Sequence, residues 1–258
     1  MLELRGLSKH FGGVKAVDEL DITVNEGEIF GLIGPNGSGK STTINLICGV
    51  YEETAGTVRF REELMNGKPP HLRLRAGIAR TFQNIRLFPN LTVWQNLWVA
   101  RNSPEDLATQ GFLSRWFGDT RRTRREIATL LEFADLEHKS DELASNLAFG
   151  EQRRLEFARA AAARPKLLLL DEPAAGMNHQ EIHDLGRRIR RMRDSGVTIL
   201  LVEHVMELVM GVAEQIAVLN FGQKIASGTP GDVQRNKAVQ EAYLGTSDPD
   251  SRSDDTGA

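Results

Sequence analysis

Apolar and polar residues alternate over positions 2–7, and a period of two is typical of a strand that buries one face. We predict an edge strand here, then a turn at Phe11-Gly12-Gly13 toward 14–17, and a second strand at 21–24. A further strand is predicted at 56–60. The amino-terminal part of the chain is therefore expected to form a small antiparallel β layer.

Uninterrupted apolar runs alternate with helical patterns along the rest of the chain, which is typical of an α/β fold with a parallel sheet. We predict buried strands at 28–33, 78–83, 166–171, 197–202 and 216–219. Helices are predicted at 41–48, 92–101, 123–133, 153–163, 179–195 and 206–212. The section from about 91 to 163 is mostly helical, and we interpret it as a helical subdomain of one domain that spans 1–245. Residues 246–258 are predicted to be a disordered tail.

The composition narrows the function classes. A net charge of −3 and a pI of about 6.1 argue against a general nucleic-acid-binding surface, which would be basic. The one cysteine, Cys48, cannot form an intramolecular disulfide, and we interpret it as a small apolar core residue. No signal-peptide pattern begins the chain, and its apolar runs are too short to span a membrane. We therefore expect a soluble, cytoplasmic protein.

A basic and aromatic segment stands out within the helical section. Arg115-Trp116-Phe117 is followed by arginines at 121, 122, 124 and 125. A solvated helical face is the favoured interpretation, because charge runs usually have no ligand. The alternative is a docking surface or a surface for membrane headgroups.

One segment matches the pattern G-x-x-x-x-G-K-[ST] at every fixed position, between a predicted strand and a predicted helix. This segment, the phosphate loop, consists of Gly34, Pro35, Asn36, Gly37, Ser38, Gly39, Lys40 and Ser41. Glycines allow backbone N–H groups to wrap an anion, Lys40 brings a cation to the β- and γ-phosphates, and the Ser41 hydroxyl suits Mg²⁺. We predict that the loop, together with Thr42, binds ATP.

Acidic residues stand where a predicted buried strand ends, at Asp171 and Glu172. In an open α/β sheet the ligand binds beyond the carboxyl ends of the strands, so we expect both acids beside the phosphate loop. Asp171 is predicted to hold Mg²⁺ with Ser41, and Glu172 to orient or deprotonate the attacking water. His204 and Gln83 follow other strands at the same edge. A neutral His204 is predicted to donate to the γ-phosphate, a buried structural histidine being the alternative, and Gln83 to contact the metal or the water.

Two features stay ambiguous from the residues alone. Phe11 is either a core or turn aromatic or a residue that stacks on the nucleotide base. Gly150 lies in the segment 147–152, ahead of a long predicted helix, where free N–H groups form a potential second anion site. Many helices begin in this way.

The chain resembles the ATP-binding subunit of an ABC transporter. The resemblance rests on five features in this order: the phosphate loop, Gln83, the segment 147–152, the acids that end 167–172, and His204. Within that family the chain is similar to the ATPases of branched-chain amino acid importers. This similarity rests on RTFQNIRLF at 80–88, NLAFG at 146–150, DEPAAGMN at 171–178 and EAYLG at 241–245. The resemblance implies an ABC-type P-loop ATPase with a RecA-like core, an antiparallel β subdomain and a helical subdomain.

The resemblance also implies a composite site, in which two subunits pair head to tail and each ATP lies between one phosphate loop and the partner's segment 147–152, the signature motif. Ala148, Gly150 and Glu151 would supply that second half, and Phe11 would stack on the base. Ala148 and Glu151 stand where the family usually has serine and glutamine, and Asn178 where many members have aspartate.

Further partners follow from the same resemblance. It implies a second ATPase subunit, two transmembrane permease subunits and an external binding protein, with this chain at the cytoplasmic face of the inner membrane. The turn at 174–178 would lie at the dimer interface, and the loop after Gln83 would form the groove for a cytoplasmic helix of the permease. The alternatives are the ATPase of a lipopolysaccharide-export system, a soluble ABC ATPase of translation or DNA repair, and a small-molecule phosphotransferase.

Overall fold

The computed structural model describes residues 1–81, 87–101 and 120–244. Within them the strands are β1 Leu2–Phe11, β2 Val14–Val24, β3 Ile29–Ile33, β4 Ala55–Phe60, β5 Glu63–Leu64, β6 Ile78–Arg80, β7 Leu167–Asp171, β8 Thr198–Val202, β9 Gln215–Asn220 and β10 Gln223–Gly228. The helices are α1 Lys40–Ile47, α2 Pro70–Ala76, α3 Val93–Arg101, α4 Thr120–Ala134, α5 Phe149–Ala162, α6 His179–Asp194, α7 Met206–Val212, α8 Pro230–Arg235 and α9 Lys237–Leu244. Across these three ranges no helix combines the length and the apolar character that crossing a bilayer requires.

The amino-terminal strands form an antiparallel sheet in the order β2-β1-β4-β5. The turn at Gly12-Gly13 is confirmed, and the two segments predicted at 14–17 and 21–24 belong to the single strand β2. The prediction of an edge strand at 2–7 is wrong, because β1 pairs with β2 on one side and β4 on the other. Alternation shows that one face of a strand is buried, which holds for a central antiparallel strand as well as for an edge.

A second sheet has the order β10-β9-β3-β8-β7-β6 and is parallel except for β10, which forms a hairpin with β9. Strands β3, β7 and β8 are buried at every position, as expected where both faces of a sheet are covered. One face packs against α1 and the antiparallel sheet, and the other packs against α6 and α7. This order brings the carboxyl ends of β3, β8 and β7 side by side.

The helical section has an apolar cluster of its own, in which Val93, Leu97, Ile127 and Leu155 join α3, α4 and α5. The helices predicted at 92–101 and 123–133 are confirmed. The third, α5, begins earlier than predicted, at Phe149. The limits of the subdomain at about 91 and 163 stay a prediction. The segment Arg115-Trp116-Phe117 and the tail at 246–258 lie outside the described residues.

The polar stretch after β5 contains a helix that the pattern did not predict, α2, with Pro70 at its first position. Its Arg73 is buried and donates to the carbonyl oxygens of Leu46 (2.6 Å), Ile47 (3.0 Å) and Lys68 (2.9 Å). Carbonyls at a helix end lack intrahelical partners and carry partial negative charge, so the guanidinium caps α1. The helix that follows the phosphate loop is thereby held at its far end.

Candidate active site

The phosphate loop joins β3 to α1 through backbone conformations that glycine adopts easily. Gly39 has a φ of 106°, and a Cβ there would lie 2.4 Å from the carbonyl oxygen of Ala16. Gly34 has a φ of 152°, and a Cβ there would lie 2.2 Å from the carbonyl oxygen of Leu219. Strands β2 and β9 therefore approach the loop so closely that a side chain at Gly39 or Gly34 would clash with their carbonyl oxygens.

Lys40 folds its side chain back over this loop. Its Nζ donates to the carbonyl oxygens of Gly34 (2.6 Å) and Pro35 (2.9 Å). Burial lowers the pKa of Lys40, and the charges of Glu172 and Asp171 act in the opposite direction. The ammonium group is thus held at the loop, between its carbonyls and the strand-end acids.

Several groups fit a bound triphosphate and its metal. The Ser38 Oγ is buried and has no hydrogen-bond partner among the described residues, and no side chain caps the first N–H groups of α1. Buried polar groups normally have partners, and free N–H groups at a helix start attract anions. Mg²⁺ usually takes one or two protein oxygens together with phosphate oxygens, a role for which the Ser41 hydroxyl and the Asp171 carboxylate are suited.

Asp171 is the last residue of β7, and Arg80 binds its buried carboxylate. The Arg80 Nη2 lies 2.7 Å from Asp171 Oδ2, and the Arg80 Nη1 donates to Asn45 Oδ1 at 2.6 Å. Because Arg80 ends β6 and Asn45 belongs to α1, one guanidinium joins three elements at the site. Sequence analysis included Arg80 in the segment 80–88 but assigned it no role, since a lone arginine carries no pattern that reveals its partner. Gln83, three positions later, lies outside the described residues.

Glu172 has a left-handed backbone, with a φ of 47°, and its N–H donates to the carbonyl oxygen of Val202 on β8 at 2.8 Å. Residues with a Cβ adopt this region at a cost, and such conformations concentrate at functional sites. The turn places Glu172 in the wall of the cleft that the phosphate loop lines.

His204 follows β8, and its Nδ1 lies 3.8 Å from Glu172 Oε1. The alternative of a buried histidine is wrong, because half of the side chain is exposed. The loop that carries His204 is fixed by Glu203, which is fully buried. Glu203 accepts hydrogen bonds from the N–H groups of His204 (2.9 Å), Val205 (3.0 Å) and Ala174 (2.7 Å). It thus connects the His204 loop to the turn after Glu172, a role that nothing in the sequence pattern indicated.

The phosphate loop borders a cleft of about 300 Å³. The cleft is lined by Val14, Lys15, Ala16, Asn36, Gly37, Ser38, Gly39, Lys40, Ser41, Thr42, Glu172 and Phe221. Phe11 is not part of this lining. Its ring meets that of Tyr51 edge-on, with centroids 5.3 Å apart, and the Lys9 ammonium lies 5.1 Å from its centroid. Base stacking by Phe11 stays a prediction, and Phe221 is a lining residue that sequence analysis missed.

The signature motif lies away from this cleft. Ala148 is the N-cap of α5, where its methyl group cannot accept a hydrogen bond from the first turn. The Ala148 N–H donates to Glu151 Oε2 (3.0 Å), which also accepts a bond from Lys139 Nζ (2.8 Å). The bond from Lys139 is the main reason that the pKa of Glu151 lies below its ordinary value. Gly150 lines a different cavity, between α5 and α6, together with Pro173.

Comparison with known proteins identifies the family. A sequence model described as "ABC transporter" matches residues 17–175. The chain belongs to the ABC transporter family. A second model, described as "Branched-chain amino acid ATP-binding cassette transporter", matches residues 223–249 of this ABC ATPase.

Relatives resemble this ABC ATPase along nearly its whole length. The high-affinity branched-chain amino acid transport ATP-binding protein BraF of Pseudomonas aeruginosa is 43% identical over 252 residues, covering 95% of this chain and 98% of BraF. The lipopolysaccharide export system ATP-binding protein LptB of Escherichia coli is 35% identical over 244 residues, covering 95% and 97%. The ATP-binding cassette MJ1267 of an ABC transporter, solved in its ADP conformation, superposes with a TM-score of 0.81 at 32% identity, covering 95% and 98%. The predicted family and fold class are confirmed.

Proposed function

We propose that this chain is the ATP-binding and ATP-hydrolysing subunit that powers an importer of branched-chain amino acids. The observation that carries the proposal is the convergence of the phosphate loop and Glu172 on one cleft, in a chain 43% identical to BraF over nearly its full length. The match of residues 223–249 to a branched-chain amino acid transporter model supports the cargo class. The identity to BraF is 43% and the identity to LptB is 35%, and this difference favours amino acid import over lipopolysaccharide export.

The residues of the cleft divide the work of hydrolysis among them. The backbone N–H groups of the loop and the Lys40 ammonium bind the β- and γ-phosphates. Glu172 orients the attacking water and accepts its proton, and His204, beside it, donates to the γ-phosphate. Glu203 holds His204 and the turn after Glu172 in fixed positions relative to each other, because it accepts hydrogen bonds from both.

Mg²⁺ belongs to the proposed site, with Ser41 and Asp171 as its protein ligands and Gln83 as a further contact. When bound, it neutralises charge on the β- and γ-phosphates. Arg80 orients Asp171 for this task through the Oδ2 contact.

A second ATPase subunit completes the proposed site. Ala148 and Phe149 of the signature motif are exposed at the start of α5, and the motif does not line the cleft of its own chain. A head-to-tail partner brings Ala148, Gly150 and Glu151 of one subunit to the phosphate loop of the other. The N–H groups of the first turn of α5, which the Ala148 side chain cannot cap, then contact the γ-phosphate.

The membrane subunits are proposed to dock at the loop after Gln83, of which residues 84–86 lie outside the described residues. A groove of about 590 Å³ beside β6, α2 and α5 is lined by Thr81, which precedes that loop, and is proposed to belong to the same docking surface. Exposed cations line it, Arg75, Arg164 and Lys166, together with the exposed apolar Leu74. An amphipathic helix with apolar and acidic side chains complements such a groove. We propose that this contact holds the chain at the cytoplasmic face of the membrane, and that an external binding protein delivers the amino acid to the permease.

Uptake in the source cells tests this function. Cells carrying Lys40→Ala, with other leucine uptake routes deleted, are compared with the parent for labelled leucine, isoleucine and valine. A charged substrate with its own transporter is the specificity control, and Lys237→Ala, an exposed lysine on α9, is the matched variant. We expect Lys40→Ala to abolish uptake of the three amino acids alone. Unchanged uptake in this background contradicts the proposal.

A further inference from the structure

Phe221 lies between β9 and β10 and is the most exposed large apolar side chain among residues 1–81, 87–101 and 120–244, with 85% of its surface in solvent. Its backbone is left-handed, with a φ of 45°. Exposure loses the stabilisation that burial of an aromatic ring provides, and the left-handed region is unfavourable for a residue with a Cβ. Two unfavourable features at one residue point to a function rather than to folding.

The turn that carries Phe221 is fixed directly to the phosphate loop. The Gly222 N–H donates to the carbonyl oxygen of Ser38 at 3.0 Å, and the Gly222 carbonyl accepts from the Asp18 N–H at 2.9 Å. A Cβ at Gly222 would lie 2.7 Å from the carbonyl oxygen of Lys15, so the backbones are in close contact. The backbone next to Phe221 is therefore fixed beside the phosphate loop, and the Phe221 side chain lines the cleft.

The lining of the cleft indicates what this ring meets. The phosphate loop supplies the N–H groups and the cation that a triphosphate needs. Phe221, Val14 and Ala16 supply apolar surface in the same cleft. A nucleotide that binds its phosphates here has one other part to place, the ribose and base, whose faces suit an aromatic or aliphatic wall.

We propose that Phe221 is a nucleotide-contacting residue, which packs its ring against the ribose and base of ATP bound in this cleft. The inference rests on the proposed ATP site but concerns a residue that the motifs of the chain do not include. It predicts that Phe221 contributes to affinity for nucleosides and contributes nothing to affinity for the phosphate chain alone.

Binding of ATP, ADP and inorganic tripolyphosphate to the purified full-length chain tests this. We expect Phe221→Ala to weaken ATP and ADP binding about tenfold, within the range for loss of one base–aromatic contact, and to leave tripolyphosphate affinity unchanged. Phe221→Tyr keeps an aromatic ring and should retain the nucleotide affinity of the wild-type chain. Phe221→Gly, which relieves the left-handed backbone, should show the same loss as Phe221→Ala. Leu64→Ala, an exposed apolar residue on β5, is the control and should leave all three affinities unchanged.

Two results would overturn the inference. Equal weakening of ATP and tripolyphosphate by Phe221→Ala would show that the turn supports the phosphate loop without touching the nucleoside. Unchanged affinity for all three ligands would show that the ring does not contact bound nucleotide. A wild-type chain that binds neither ATP nor tripolyphosphate would instead contradict the ATP site itself, so the two failures are distinguishable.

Discussion

Two helices of this protein begin at segments suited to anions, and the structure builds them in opposite ways. At the start of α1, glycine backbone, the buried Lys40 and the acid-bearing turn after β7 surround one cleft. At the start of α5, Ala148 and Phe149 are exposed and the N-cap side chain accepts no hydrogen bond. The first start is enclosed within its own chain, whereas the second leaves its N–H groups open to a group from outside.

Charge sharpens this contrast. The start of α1 holds a lysine, whereas the first turn of α5 holds an acid, Glu151, whose carboxylate is bonded to Lys139 and the Ala148 N–H. An unpaired carboxylate there would repel a phosphate, and the bond to Lys139 offsets that charge. From this comparison we expect α1 to bind phosphate by itself, and α5 to suit an anion that another cation already holds.

The largest effect that would test this division is expected from Glu172→Gln. The amide keeps the size of the side chain but cannot accept a proton, so we expect turnover to fall about 1000-fold while ATP affinity is retained. ATP-dependent dimers should then accumulate, as measured by light scattering after gel filtration. Normal turnover of Glu172→Gln would show that Glu172 has no catalytic role. Glu181→Gln, on α6, is the matched control and should retain turnover.

Lys40→Ala removes the one cation of the α1 start. We expect ATP affinity to fall about 100-fold, near the upper end for loss of charged hydrogen bonds, as measured by calorimetry. The thermal unfolding temperature without nucleotide should change little, because the ammonium donates its hydrogen bonds within the described part of the chain to loop carbonyls, and its burial is unfavourable. Unaltered affinity would contradict the assignment of the loop.

Glu203→Gln separates positioning from binding. Both carboxylate oxygens of Glu203 accept hydrogen bonds from backbone N–H groups, one from Ala174 and the other from His204. In glutamine an NH₂ group replaces one of these oxygens and cannot accept such a bond, so the side chain no longer joins the His204 loop to the turn at Ala174. We expect kcat to fall about tenfold with KM for ATP within about twofold, the cost of one misplaced polar contact near the site. Glu207→Gln, at an exposed acid, should leave both constants unchanged. A rise in KM alone would argue against a positioning role.

The smallest effect is expected at the α5 start, from Ala148→Ser. A serine N-cap stabilises a helix by about 1 kcal/mol, so the thermal unfolding temperature should rise. Turnover should rise about threefold, the scale of one added neutral hydrogen bond, because the hydroxyl can also reach a phosphate held by a partner. Nucleotide affinity of the monomer should stay the same, since Ala148 does not line the cleft. A change in monomer affinity would remove the distinction between the two helix starts.

The sequence by itself determined the elements whose signal is local. Apolar runs predicted the buried strands β3, β7 and β8, and the loop pattern between β3 and α1 was complete in eight consecutive residues. The position of Asp171 and Glu172 at a strand end followed from the length of the apolar run before them. Such features depend on neighbours along the chain, and the handedness and burial of parallel sheets then place strand ends together.

Tertiary structure alone decided which distant residues meet. Arg80 reaches Asp171 and Asn45, separated from it by 91 and 35 positions. Phe221 lies beside the phosphate loop because its neighbour Gly222 bonds to Ser38, and residue 222 is 184 positions after residue 38. The central place of β1 was decided in the same way, by pairing with β4 after the intervening α1. A buried charged side chain requires an interaction partner, but the sequence pattern around it does not indicate which distant residue that partner is. Strand order and packing across the sheets supply that information, because they bring residues together without regard to their separation along the chain.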